Sequence, residues 1–257
     1  MHLKKYFTAG FLGSFLLLSA CTKTGNTGPA GATGAAGPAG PAGPSYTGAI
    51  SGHVDLYDQY GSKILTGLSN VQISLNGNSI VNPDATGFYR FGNINTGSYF
   101  MTASNSGFGA TRINNFQYLS DTLNHDVKLS AIPGFVPTTI NSTIIATGDS
   151  VALTFPMDSR TRNCILFVNT SAIVNGNPAN YLIVYTKAVA ANTVKPTTIL
   201  IAKQDLTDAG IMTGSTVFIA AYGYVVGDAS AYEDFGTGKT VYTAISSSAL
   251  TATFTAP

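Results

Sequence analysis

The run Val71-Gln72-Ile73-Ser74-Leu75 alternates apolar and polar side chains, and this alternation decides the fold class of the chain. Successive side chains of an extended strand point to opposite faces, so the three apolar residues would face a core and the two polar residues solvent. Similar short runs recur along the chain, separated by Gly, Asn, Asp and Pro. We therefore predict an all-β protein of antiparallel strands joined by turns.

Six such runs lie close together in the first part of the chain after residue 46, a density typical of a β-sandwich. The predicted strands of this set are 49–56, 71–75, 87–91, 98–103, 111–118 and 124–129.

Two prolines, Pro133 and Pro137, interrupt any strand between the two parts of the chain. Proline cannot donate to a strand ladder, so we place a domain boundary after residue 131. A second set of eight strands follows, with one helical turn at 203–209, and suits an immunoglobulin-like or fibronectin-III-like sandwich at residues 132–257. The predicted strands of this set are 141–146, 150–155, 163–169, 181–186, 197–202, 215–226, 239–246 and 249–255.

The composition of the 257-residue chain agrees with this prediction and excludes one class of function. Only 10% of the residues are charged, against roughly 25% in soluble domains, and Glu233 is the single glutamate, which argues against long surface helices. The net charge is +1, and the basic residues are scattered along the chain. Nucleic-acid binding needs a concentrated basic surface, so no nucleic-acid partner is predicted.

The N-terminus has the pattern of a signal peptide at residues 1–20, with a basic head followed by a short apolar run. The run ends in Leu18-Ser19-Ala20-Cys21, which resembles the lipobox of bacterial lipoproteins. This resemblance implies cleavage before Cys21 and lipidation of its thiol, so that the protein is anchored to a membrane of the cell envelope. Thr22 follows in place of an acidic retention signal, which favours the outer membrane and leaves the periplasmic or surface-facing side open.

Seven Gly-X-Y triplets follow the cysteine, from Gly25 to Ser45. They resemble a collagen repeat, in which glycine at every third position lets three extended chains pack around one axis. No triplet carries proline at its third position, so an extended spacer is favoured over a trimerising stalk. Residues 21–46 are therefore interpreted as a lipidated linker, with a homotrimer as the alternative.

Residues 47–131 resemble the carboxypeptidase regulatory-like domain, which has a transthyretin-like β-sandwich fold. The resemblance rests mainly on the turn and strand Asp84-Ala85-Thr86-Gly87-Phe88-Tyr89-Arg90-Phe91 and on the strand start Gly97-Ser98-Tyr99. It implies a non-catalytic folding or display module. The zinc peptidase domain sometimes found beside it is not evident, because His53 and His125 belong to no metal-ligand motif.

The segment 227–238 places three carboxylates in one predicted loop between two strands. Carboxylate oxygens are calcium ligands, so Asp228, Glu233 and Asp234 form a candidate calcium site, although their spacing is not that of an EF-hand. The alternative is a solvated turn in which these residues serve only the backbone geometry.

Aromatic residues flank the same loop, and aromatic rings beside carboxylates are typical of sugar-binding surfaces. Tyr224, Tyr232 and Phe235 are the candidate ligand-binding residues. The alternative is that these rings pack in the core or across strands, and the chain has no tryptophan.

Two short motifs resemble acceptors of a bacterial O-glycosylation system. They are Asp121-Thr122-Leu123 and Asp149-Ser150-Val151, and the resemblance implies glycosylation of Thr122 and Ser150.

Motifs for catalysis are missing from the sequence, which has no nucleophile elbow, P-loop or paired-histidine site. Cys164 lies in an apolar strand and is predicted to be a core residue, since a reactive thiol needs a polar surrounding. We therefore predict no enzyme and no catalytic residue, and no cofactor apart from a structural calcium ion. The predicted function is a lipid-anchored module for surface binding, adhesion or structure, with a protein or glycan as partner. The alternative is a carbohydrate-binding accessory lipoprotein that uses the region 222–242.

Overall fold

The computed structural model describes residues 28, 31–37, 47–119, 121–193 and 195–257. The chain divides into two compact units, Met1–Gly43 and Pro44–Pro257. In the first unit, the described glycines Gly28, Gly31, Gly34 and Gly37 have no neighbouring atoms within 4 Å of an added Cβ. The signal peptide, Cys21 and the rest of the Gly-X-Y repeat lie outside the described residues, so these features stay predictions.

The described residues from Thr47 to Ser130 form nine strands, which we call the first sandwich. The strands are β1 (Thr47–Tyr57), β2 (Lys63–Ile64), β3 (Gln72–Leu75), β4 (Ser79–Val81), β5 (Phe88–Asn95), β6 (Gly97–Ser104), β7 (Thr111–Tyr118), β8 (Thr122–Asn124) and β9 (Val127–Ser130), with a 3-10 turn at Leu68–Asn70. One sheet has the order β2-β1-β5, with β8 and β9 pairing in parallel with β1, and the other has the order β4-β3-β6-β7. The apolar faces of the two sheets enclose a core that includes Ile50, Ile73 and Leu129.

Nine further strands are described between Thr139 and Thr255, and we call them the second sandwich. They are β10 (Thr139–Ile145), β11 (Gly148–Thr154), β12 (Arg162–Asn169), β13 (Ile183–Val189), β14 (Thr197–Ala202), β15 (Thr216–Tyr224), β16 (Tyr232–Asp234), β17 (Lys239–Val241) and β18 (Leu250–Thr255), with a helix α1 (Lys203–Asp208) and a 3-10 turn at Pro178–Asn180. The sheets have the orders β10-β11-β14 and β13-β12-β15-β18, and β16 and β17 form a separate hairpin.

Strand β12 is buried on both faces, which explains its continuous apolar sequence. Cys164 and Leu166 belong to the core between the sheets, whereas Ile165 and Phe167 belong to a second cluster on the outer face. This outer cluster is covered by the chain before Tyr181 and after Tyr224. Burial leaves Cys164 with 0% exposure and raises the pKa of its thiol to about 12, which confirms its prediction as a core residue.

The all-β fold class is confirmed, and two predicted strands, 111–118 and 197–202, have the predicted bounds. The predicted strand 124–129 is instead broken into β8 and β9. At the break, the His125 N–H still donates to the Ser51 carbonyl, and the next residue bonds to β1 through its side chain, because the Asp126 carboxylate accepts from the His53 N–H at 2.9 Å. Among the described residues, no helix is both long enough and apolar enough to cross a membrane.

The C-terminal region departs most from the prediction. Residues 232–234, expected in a loop, form β16, while the predicted strand 239–246 ends at Val241. The chain beyond Val241 turns across the outer face of the second sandwich, where Tyr242, Ala244 and Ile245 join the outer cluster. These three residues are not part of a regular strand, because their side chains cover that apolar face.

The two sandwiches meet through short polar contacts. The Ser130 N–H donates to Ser230 Oγ at 2.6 Å, and the Ala229 N–H donates to Ser130 Oγ at 2.9 Å. The backbones approach so closely at Gly109 that an added Cβ would lie 2.7 Å from the Ala244 nitrogen. The predicted division after residue 131 therefore separates two sets of sheets within one compact unit, and their independent folding stays a prediction.

Candidate functional site

A cleft of about 390 Å³ lies between the first sandwich and the β16–β17 hairpin. Its size is within the range of about 300–1,000 Å³ that is common for small-molecule sites. The lining residues are Ser98, Tyr99, Phe100, Arg112, Asn114, Asn115, Tyr232, Asp234, Phe235 and Gly236.

A β-bulge shapes the wall that belongs to the first sandwich. Tyr99 pairs with Phe116 and Met101 with Ile113, so that two residues of β7, Asn114 and Asn115, lie opposite one residue of β6. Asn115 adopts a φ of 42°, a left-handed conformation that asparagine tolerates better than most residues. The extra residue keeps Ile113 and Phe116 against the core and brings both asparagines to the cleft.

The two asparagines have different roles in the cleft wall. Asn114 Nδ2 donates to the Glu233 carbonyl at 3.0 Å and so joins the two walls. Asn115 Oδ1 accepts from Ser98 Oγ at 2.6 Å, and both side chains are exposed. Asn115 and Ser98 therefore present polar groups to anything that enters the cleft.

The opposite wall is the tight turn between β16 and β17. The Asp234 carboxylate accepts from the Thr237 N–H at 3.1 Å and from Thr237 Oγ1 at 2.7 Å, while the Gly238 N–H donates to the Asp234 carbonyl at 2.8 Å. These bonds fix the turn, and they place Phe235 at its tip with 67% of its surface exposed. The turn thus holds an exposed ring and a carboxylate beside the bulge.

Arg112 supplies the positive charge of the cleft. Its guanidinium carbon lies 4.4 Å from the centre of the Phe100 ring, within the distance of a cation–π contact. In the part of the chain that the structure describes, Arg112 forms no ion pair. The Phe100 N–H donates to Asn76 Oδ1 at 2.9 Å, which fixes the backbone below this pair.

The predicted ligand-binding residues are only partly brought together. Tyr232 and Phe235 line the cleft, together with Asp234. Tyr224 lies elsewhere: it is 8% exposed, and its ring is 5.9 Å from that of Tyr242 in the outer cluster. The structure thus corrects the prediction for Tyr224, because this ring packs in the core and is not free for a ligand.

The three candidate calcium ligands are also not brought together. The Asp228 carboxylate turns inward, where Oδ1 accepts from the Ser230 N–H at 2.8 Å, and burial raises its pKa. Glu233 and Asp234 are neighbours in β16 and so point to opposite faces of the hairpin. Within the described residues, no group of three His, Cys, Asp or Glu side chains is placed to hold a metal ion.

The two candidate glycosylation residues lie in different surroundings. Thr122 is exposed at the start of β8, after Asp121 with a φ of 71°. Ser150 is half-buried in β11, the middle strand of its sheet, next to the fully buried Asp149. Modification of either residue stays a prediction.

His53 and His125 both lie outside the cleft. His53 is exposed, with its ring 5.4 Å from that of Phe88. His125 packs on Phe116 at 4.4 Å, its Nε2 is buried with no hydrogen-bond partner among the described residues, and burial lowers its pKa.

The first wall of the cleft was not found from the sequence, because Arg112, Asn114 and Asn115 were interpreted only as parts of a strand. One signal was available in the run Ile113-Asn114-Asn115-Phe116. Its two apolar residues are three positions apart, which breaks strict alternation and is typical of a bulge.

Comparison with known proteins adds little about this site. Neither protein-family profiles nor curated proteins gave a match, so the resemblance of residues 47–131 to the carboxypeptidase regulatory-like domain stays a prediction. Among solved structures, the chain is similar to a candidate carbohydrate-binding protein from Bacteroides uniformis, with 16% identity, 82% of this chain and 99% of that chain covered, and a TM-score of 0.29. DUF3823 family proteins from Parabacteroides merdae and Bacteroides ovatus are 11% and 12% identical, with 79% of this chain and 98% and 97% of those chains covered, and TM-scores of 0.28 and 0.30.

Proposed function

We propose that the chain is a non-catalytic binding module of the cell envelope and that a carbohydrate binds in the cleft between the bulge and the β16–β17 turn. The observation that carries this proposal is the composition of the cleft, which is lined by the rings of Tyr232 and Phe235 together with amide and carboxylate groups. Aromatic rings give a flat apolar surface for the C–H face of a sugar, and amides and carboxylates match its hydroxyl groups.

Binding is favoured over glycoside hydrolysis by the number of acids in the cleft. Glycosidases use a pair of carboxyl groups roughly 5–10 Å apart on the two sides of the scissile bond. Of the described residues that line the cleft, Asp234 alone carries a carboxylate, and this group accepts two hydrogen bonds from Thr237. The cleft itself thus offers one carboxylate where hydrolysis requires two, and Asp126 of the adjoining recess accepts from the His53 N–H at 2.9 Å.

The N-terminal sequence supports the envelope part of the proposal. A lipid on Cys21 would anchor the protein in the outer membrane, and the Gly-X-Y linker would hold the sandwiches away from the bilayer. Incorporation of labelled palmitate tests this part: we expect labelling of the full-length chain and none of Cys21→Ala. Equal labelling of both chains would contradict a lipid at Cys21.

A glycan array with the purified full-length chain tests the carbohydrate part. We expect binding to a defined glycan class, weakened at least about tenfold by Phe235→Ala or Tyr232→Ala, the usual effect of removing a central aromatic contact. Phe88→Ala is the matched control, because Phe88 is also exposed but lies outside the cleft. Absence of glycan binding, or equal loss in all three variants, would overturn the proposal.

A further inference from the structure

A second recess of about 230 Å³ adjoins the cleft. This recess is lined by residues of β7 and β9 and by the chain before β16, including Asp126, Lys128 and Ala229. Arg112 and Tyr232 line both cavities. The two cavities therefore adjoin at these two side chains, and we call them together the groove; a ligand of several sugar units that occupies both cavities would pass Arg112 and Tyr232.

Arg160 and Arg162 are engaged by the protein, whereas Arg112 and Arg90 are exposed, and of these two Arg112 lines the groove. Arg160 stacks on Tyr60 and lies 3.9 Å from the Asp158 carboxylate, and Arg162 is 1% exposed and donates to the Pro156 carbonyl at 2.6 Å. Arg112 is exposed in the groove and has no carboxylate partner among the described residues. Its contact with Phe100 restricts the guanidinium plane and leaves the N–H groups at its edge available.

The carboxylates of the groove are already engaged by the protein. Asp234 accepts from Thr237, and Asp126 accepts from the His53 N–H. The groove thus has unused charged donors on Arg112 beside acceptors that are partly used. A ligand that brings its own carboxylate would complement this arrangement, because the planar guanidinium matches a carboxylate through two parallel hydrogen bonds.

Resting on the proposed function, we propose that Arg112 determines the specificity of this groove and that the ligand is an acidic oligosaccharide with a uronic acid at Arg112. Holding the guanidinium against Phe100 reduces the freedom that Arg112 would lose on binding, which favours affinity. Neighbouring sugar units lie on the two sides of Arg112, one towards Phe235 and one towards Lys128.

Calorimetric titration of the full-length chain with a panel of uronate hexasaccharides and their carboxyl-reduced counterparts tests this inference. The panel contains galacturonate, guluronate and glucuronate-bearing oligomers. We expect at least one acidic oligomer to bind about tenfold or more tightly than its reduced form, with an affinity that falls as salt is added. Arg112→Gln should remove most of the preference and reduce the salt effect, with a remainder from Lys128, whereas Arg112→Lys should keep more of both.

Arg90→Gln is the matched control, since Arg90 is an exposed strand arginine outside the groove, and its binding should equal that of the unchanged chain. Thermal unfolding shows whether Arg112→Gln is folded. If it is not, the inference is still tested with the unchanged chain, by comparing acidic with reduced oligomers and by the salt series. Equal binding of acidic and reduced oligomers in the cleft would overturn this inference and leave the proposed function standing. Binding of no glycan would overturn both.

Discussion

Asp228 shows, at the scale of single residues, how a functional pattern in the sequence can serve structure. The sequence predicts it as a calcium ligand because it shares one predicted loop with two other acids, Glu233 and Asp234. In the fold, its Oδ1 accepts from Ser230, while its Oδ2 is buried and has no hydrogen-bond partner among the described residues. Burial raises its pKa, because the loss of water disfavours the ionised form.

Replacement of Asp228 tests this structural role through pH. Because its native pKa is higher than its unfolded pKa, the ionised form lowers stability above the native pKa, and this cost disappears below the unfolded value of about 4. Asp228→Asn keeps an acceptor for Ser230, so we expect a melting temperature at neutral pH equal to or above that of the unchanged chain. Asp228→Ala removes this acceptor, so we expect its free energy of unfolding to fall by about 1–2 kcal/mol. Thermal melts from acid to neutral pH measure both effects. A much lower melting temperature of Asp228→Asn at neutral pH would contradict a cost of the ionised carboxylate.

Cys164 was predicted correctly because its apolar neighbours carry the information. Its thiol has 0% exposure and a pKa raised to about 12, so we expect it to resist thiol reagents until the second sandwich unfolds. Reaction with a chromogenic disulfide, in a chain carrying Cys21→Ser, measures this resistance, and the same chain in denaturant is the control. Rapid labelling of the folded chain would show that β12 is accessible.

At the scale of elements, the bulge in β7 is the feature that turns an ordinary strand into a cleft wall. The bounds of the strand were predictable from its composition. The direction of its side chains was not, because alternation from Ile113 places Asn115 on the core side, whereas the bulge moves Phe116 there. A second element, β16, was missed because the acidic run Tyr232–Asp234 has the composition of a loop and pairs only with the three residues of β17.

Deletion of Asn115 tests the role of the bulge. Without this residue, Ile113 and Phe116 become two positions apart and can both face the core in a regular strand. We therefore expect a folded chain whose melting temperature changes little, together with loss of at least about tenfold in glycan affinity as the cleft wall flattens. Deletion of Gln117, which lies between the core residues Phe116 and Tyr118, is the control and should unfold the chain. Unchanged glycan binding after deletion of Asn115 would show that the bulge does not shape the site.

At the scale of the whole molecule, the two sandwiches are joined by buried hydroxyl groups. Ser130 and Ser230 are 1% and 0% exposed, and each accepts a backbone hydrogen bond from the other side of the junction. Asn114 and Glu233, which bridge the cleft walls, are 119 residues apart in sequence. A short sequence motif carries no information on contacts between residues so far apart in sequence. The junction and the first wall of the cleft therefore could not be predicted from such motifs.

Ser230→Ala tests how strongly the junction couples the sandwiches. The change leaves the buried Ser130 N–H without its acceptor, and we expect a loss of about 1–3 kcal/mol. The unchanged chain should unfold in one calorimetric transition. Ser230→Ala should lower the midpoint temperature of this transition or divide it into two. Ser247→Ala, at an exposed serine, should leave the transition unchanged. Two separate transitions in the unchanged chain would instead show that the sandwiches fold independently.

The composite origin of the cleft has a consequence for the timing of synthesis. The residues of its first wall have all been synthesised once the chain reaches Asn115. Those of its second wall begin only at Tyr232, after most of the second sandwich has been made. Strand β15, which precedes the hairpin, gains its outer neighbour only when β18 has followed. A chain that ends before Tyr232 can thus contain every strand of the first sandwich and still lack the second wall, so the cleft is completed only near the end of synthesis.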